Sequence, residues 1–218
     1  MDPLAFFLNL LSDPRSAIAG WIVALGPVMV FAPLFLIVFA ETGLVFFPFL
    51  PGDSLLFAAG VFTADGGGLG LEATLAVFFA AAVLGNTSNY WVARLFGSRI
   101  VDSGKIKSLT PERLRKLDLF FARYGGLTIV ITRFMPIFRT FAPFIAGMGH
   151  MRFGAFMLFN VIGGALWVGS FVLVGHFFGG LPFVQDHFEL IVLSIVAVSL
   201  LPAVAGAVRG GLARRRAS

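Results

Sequence analysis

Residues 125–149 read GGLTIVITRFMPIFRTFAPFIAGMG. By length and hydropathy the stretch resembles a membrane helix, since about 20 mostly apolar residues cross ~30 Å of hydrocarbon. Pro136 and Pro143 argue against one, because proline has no amide proton to donate and its ring clashes one turn back. Arg133 and Arg139 argue against it again, because each charge at the centre of a membrane helix costs roughly 2.5–3.5 kcal/mol on insertion scales. FFPFLPGDSLLFAAGVFTA (Phe46 to Ala64) has the same character, with Pro48, the turn signal Pro51-Gly52 and a charge at Asp53. Neither stretch reads as a straight span. Both read as hairpins that enter the membrane and return.

The composition supports a membrane setting. Of 218 residues, 58% are hydrophobic and 12% charged, and the mean hydropathy is +0.95. A soluble domain keeps roughly a quarter of its residues charged, and half that charge cannot cover a globular surface. Disorder, collagen and a disulfide scaffold are excluded too, the last because there is no cysteine. The chain reads as one all-helical polytopic membrane domain.

Four stretches have the length of spans: Gly26 to Phe47, Ala73 to Phe96, Phe153 to Phe178 and Phe188 to Val208. Seven Lys and Arg lie between Arg99 and Arg123, and four between Arg209 and Arg216. Basic clusters beside apolar segments mark cytoplasmic loops, so the net charge of +5 reads as topology and not as a nucleic-acid surface. An even number of crossings must separate the two basic regions. The last two spans supply them, so 125–149 enters from the cytoplasm and returns. Residues 64–72 and 180–189 lack Lys and Arg and suit the outside, which makes 46–64 a hairpin from the opposite face.

Two opposed hairpins suggest an inverted repeat, and the sequence carries an echo of one. FAAGV (Phe57 to Val61) matches FIAGM (Phe144 to Met148). The glycine pair Gly85/Gly97 after VL matches Gly163/Gly175 after VI. The expected layout is an interfacial segment (1–25), a first half (26–97), a basic loop with an amphipathic helix (98–124), a second half (125–208) and a basic tail (209–218). Both termini are expected in the cytoplasm.

Glu41, Asp53, Arg133 and Arg139 therefore sit inside apolar sequence. Unrelieved, four such charges would cost about 10 kcal/mol or more, so pairing or a water-filled cavity is required. Opposed hairpins meeting at mid-membrane would bring two acids from one to two arginines from the other. Duller roles stay open. Asp53 has the position of an N-cap for a short helix Ser54–Phe62, and the arginines have stems long enough to snorkel to the surface. The turn Pro136–Arg139 should open a short helix, Thr140–Met148, whose N-terminal amides suit an anion. Two arginines add paired donors for phosphate. Glu41 and Asp53 are the candidates for proton coupling.

Enzymatic chemistry finds no support in the sequence. His150, His176 and His187 have no metal-ligand spacing, H-E-x-x-H and G-x-S-x-G are absent, and no G-K-[ST] follows GGGLG (Gly66 to Gly70). No enzyme activity, cofactor or metal is expected.

Three phrases carry a family resemblance: FAETGLVFFPFLPGDSLLFAAG (Phe39 to Gly60), GNTSNYWVARLFG (Gly85 to Gly97) and RFMPIFRTFAPFIAGMGHMRFGAFMLFNVIGGALW (Arg133 to Trp167). Together they closely resemble the DedA family, which contains the VTT (SNARE-associated) domain, over roughly residues 30 to 205. The resemblance implies that Glu41 and Asp53 are the family's embedded acidic pair and Arg133 and Arg139 its arginine pair. Asn86 departs from the aspartate expected in a G-D-x-x-x-Y stretch, which puts a proton relay at that position in doubt. It further implies a bacterial inner-membrane protein that moves a phosphate-bearing lipid, undecaprenyl phosphate or a phospholipid, coupled to protons. Arg133, Arg139 and Thr140 would then bind the head group, Glu41 and Asp53 would couple or gate, and Asn86 and Asn160 would support them. Two alternatives are a proton-coupled transporter of small ions and a structural membrane protein. The identity of the lipid and the oligomeric state are not legible.

Overall fold

Gly26-Pro27 decides the entry of the chain into the fold. Proline pushes the preceding residue out of the helical region, and Gly26 sits at φ 81°, ψ 167°, a region that favours glycine. The computed structural model describes residues 13–44, 52–64, 68–102, 115, 119, 121–149, 151–187, 190, 191 and 194. In it α1 (Pro14–Met29) and α2 (Phe31–Gly43) meet at a bend of 103°. The expected span Gly26 to Phe47 thus begins at the break, and α1 with α2 passes as one bent span or as a re-entrant turn. The 13 residues of α2 reach only about 20 Å, short of a bilayer core.

The order continues with α3 (Gly52–Val61), α4 (Leu71–Asp102), α5 (Leu127–Thr132), α6 (Pro136–Met148), α7 (Phe153–Phe178) and α8 (Pro182–Asp186). The described residues contain no strand. Within α4 and α7, Leu71–Gly97 and Phe153–Phe178 are long and apolar enough to cross a membrane. The expected span Phe188 to Val208, the tail 209–218, residues 1–12, and most of 46–51 and 103–120 lie largely or wholly outside the described residues.

Two expectations about the short helices shift. Proline is favoured at the first helical position, so α6 starts at Pro136 after a break at Arg133–Met135, not at Thr140. Arg139 therefore lies in the first turn of α6 rather than in the preceding turn. Likewise α3 starts at Gly52, which puts Asp53 in its first turn and not at its cap.

The short helices pack crosswise on the long ones. α2 and α6 lie along α4, α3 and α5 lie along α7, and α4 packs on α7. Between helices in lipid, close backbone approach and polar links replace the hydrophobic drive. Gly60 at the end of α3 meets the carbonyl of Val172 on α7, and Gly147 at the end of α6 meets the carbonyl of Tyr90 on α4. A Cβ at either position would overlap backbone oxygen.

The contacts also fix which ends lie together. Gly43, at the end of α2, lies against Gly85 at the middle of α4, while Leu69, just before α4, bonds to the carbonyl of Phe62 just after α3. Ile22 of α1 is the nearest side chain to Gly68, and a polar pocket at the α1 start is shared with Gln185, Asp186 and His187 beyond α7. Thus α1, the α3–α4 loop and α8 occupy one end of the molecule. Met148 of α6 meets Gly97 of α4 toward the other end. One apolar cluster, with Leu34, Leu55, Phe78 and Val172, fills the first end, and another, with Tyr90, Phe141, Phe144 and Phe156, fills the second. Val23, Leu36, Leu95, Leu158, Leu166 and Phe177 face outward with more than half their surface exposed, as a lipid-facing belt requires.

Candidate functional site

A polar layer separates the two apolar clusters, built from helix ends and from the inward faces of α4 and α7. Glu41 near the end of α2 is fully buried. One carboxylate oxygen, Oε1, accepts the amide of Gly52 at the start of α3, at 3.1 Å, and also the Nη2 of Arg139. Arg139 reaches Asp53 Oδ1 with Nη1 at 2.8 Å. The indole nitrogen of Trp167 donates to that same oxygen at 2.9 Å. One guanidinium thus spans two carboxylates, and α7 supplies a further donor. Arg139 is 6% exposed, so it does not snorkel.

Arg133 is buried in a different way. Its Nη2 donates to Asn160 Oδ1 at 2.6 Å and to the carbonyl of Ala82 at 3.2 Å. Asn160 in turn donates to Val83 O at 3.1 Å and Thr87 Oγ1 at 3.3 Å. Asn86 lies 3.1 Å from Asn160 Oδ1, and with its amide oxygen turned toward Arg133 it accepts from Nη2 at 2.9 Å. Among the described residues, no carboxylate pairs with Arg133.

The sequence singled out seven residues. The structure brings Glu41, Asp53 and Arg139 into direct contact and gathers Arg133, Asn86 and Asn160 beside them. Both guanidiniums lie close to the ring of Trp167, 5.9 Å for Arg133 and 5.7 Å for Arg139. Thr140 is fully buried; its carbonyl accepts from Asn89 Nδ2 at 2.7 Å, and its hydroxyl has no partner among the described residues. Thr42, Asn86, Arg133, Arg139 and Trp167 line a cavity of ≈ 10 Å³. That is about the room for one water. The arrangement is a closed one.

Two residues went unassigned in the sequence reading. Asn89 bridges the carbonyls of Thr42 and Thr140, joining α2 to α6 across α4. Trp167 joins the acid to both arginines. Helical spacing held the signal: Asn89 lies three residues from Asn86, and Trp167 seven from Asn160, so each shares the face of a residue already singled out. Among the described residues no group of three His, Asp or Glu could hold a metal ion.

A VTT domain matches residues 50–177, which takes in α3, α4, α5, α6 and α7. Protein DedA of Escherichia coli (strain K12) is 42% identical over 219 residues, covering the whole of both chains. The chain belongs to the DedA family. An uncharacterized membrane protein of Mycobacterium tuberculosis (strain CDC 1551 / Oshkosh) is 42% identical over 84% of this chain and 81% of its own. The inner membrane protein YghB of Escherichia coli (strain K12) is 33% identical over 80% of each. No solved structure matches this DedA-family chain. The inner-membrane relative and the apolar helices agree on a membrane location.

Proposed function

We propose that this DedA-family protein carries a phosphate-bearing lipid, undecaprenyl phosphate or a phospholipid, across the bacterial inner membrane with protons. The observation that carries the reading is the buried layer in which Arg133 and Arg139 lie beside Glu41 and Asp53, each pair from a different broken-helix unit. Arginine forks suit phosphate, and carboxylates within a membrane core mark proton pathways. Thr140, with its unpartnered hydroxyl, would complete the head-group contacts, and Asn86 and Asn160 would hold Arg133. No enzymatic step and no cofactor enter this scheme.

The fold reading behind it is an inverted repeat. α2–α3 followed by α4 corresponds to α5–α6 followed by α7, each short pair entering from its own face and returning. The crosswise packing and the matched glycines Gly60 and Gly147 support this. With the basic loop after α4 in the cytoplasm, the end that holds α1 and α8 faces outward, so Asp13 lies at the outer face. The expected cytoplasmic placement of the N-terminus concerns residues 1–12, which lie outside the described residues.

Purified protein in liposomes tests the reading, with movement of short-chain undecaprenyl phosphate measured against phospholipid, with and without a pH gradient. The reading predicts movement of a phosphate lipid that an inward proton gradient accelerates. Movement of neither lipid, together with uptake of a small ion, would favour the small-ion transporter. No movement of anything would favour a structural role.

A further inference from the structure

The two arginines are not equivalent. Arg139 is already occupied, its fork spread over Glu41 and Asp53. Arg133 is a full charge, equally buried, whose described partners are two backbone carbonyls and neutral amides. Among the described residues its Nε and the Nε of Arg139 both lack partners, and both side chains line the small cavity against Trp167. A buried cation held only by neutral groups is the arrangement an external anion can improve. A cation already paired to two carboxylates must first lose them.

Resting on the phosphate reading above, we infer that Arg133, caged by Asn86 and Asn160, is the standing subsite for the lipid's phosphate. Glu41 and Asp53 are then a built-in competing ligand that keeps Arg139 closed until protons neutralise them. While Arg139 is paired the cavity has room for about one water, so the head group reaches Arg133 as the carboxylates take protons and release Arg139, and the second fork then closes on the phosphate. Protons and phosphate bind with positive coupling, so they travel in the same direction. Trp167 faces every step, because its ring abuts both guanidiniums and its N–H holds Asp53.

The test is equilibrium binding of dodecyl phosphate to the full-length protein in dodecyl maltoside at one neutral pH, read by Trp167 fluorescence with Trp21 and Trp91 changed to Phe. E41Q/D53N should bind about tenfold more tightly than the parent, within the usual range of coupling between sites. Adding R139Q to that pair should remove the gain. R133Q in the parent should weaken binding by at least about tenfold, the loss of a charge-assisted contact. N86D, which keeps side-chain size but gives Arg133 an internal carboxylate, should weaken it as well. Equal affinity of E41Q/D53N and parent, or undiminished affinity in R133Q and N86D, overturns the division of labour while leaving the phosphate reading intact. Absence of binding in every protein, E41Q/D53N included, overturns both.

Discussion

Trp167 donates its indole proton to Asp53 at 2.9 Å, so the middle of α7 is fastened to the first turn of α3 at the atom that also receives Arg139. Trp167→Phe keeps an aromatic ring beside both arginines but removes that donor. Leaving a buried charged acceptor short of a partner costs about 1–3 kcal/mol. The expected outcome is a lower melting temperature in detergent and slower lipid movement. Trp91→Phe, on a residue 41% exposed outside the polar layer, should change neither by a comparable amount.

Arg139 is the cation that two acids share. Arg139→Gln alone leaves the buried Glu41 and the partly buried Asp53 without their shared cation, a loss of up to about 3–5 kcal/mol, the figure for a broken buried pair. Adding Glu41→Gln and Asp53→Asn removes the stranded charges. Thermal unfolding should therefore rank the triple variant above the single one. A single variant as stable as the parent would mean that the ion pairs contribute nothing to the fold.

Gly60 and Gly147 test the crosswise packing. Valine at either site would drive a Cβ into the carbonyl of Val172 or Tyr90, and overpacking of this kind costs about 1–3 kcal/mol. Both variants should melt earlier. Gly169→Ala, where no atom lies within 4 Å of an added Cβ, should leave the melting temperature in place.

The chain has no cysteine, so single cysteines report sidedness cleanly. Cysteine at Gly68 or Gly180 should react with an impermeant maleimide added outside the cell, and cysteine at Arg123 only after the membrane is opened. The reverse pattern would turn the proposed orientation over.

α7 was legible in the sequence to the residue, because nothing between Phe153 and Phe178 competes with an apolar helix and Arg152 opens it from extended backbone. The entry to α2 was less legible, because hydropathy places an apolar stretch from Gly26 onward but does not give the 103° bend between α1 and α2 that follows from Gly26-Pro27. The four charges announced themselves by their cost in an apolar setting, and Asp53, Glu41 and Arg139 do meet. What no spacing could disclose was the asymmetry between the arginines. Arg133 reaches Asn160 across 27 residues and Ala82 across 51, and only the packing of α4, α5 and α7 brings these groups together.

The most direct measurement is proton movement accompanying lipid movement. Proteoliposomes loaded with a pH-sensitive dye would receive short-chain undecaprenyl phosphate in the outer leaflet, with flipping and internal acidification recorded in the same sample. The account predicts that the two rise together in the native protein, and that Arg133→Gln abolishes both. Flipping at full rate with no acidification, or native rates in Arg133→Gln, would contradict it.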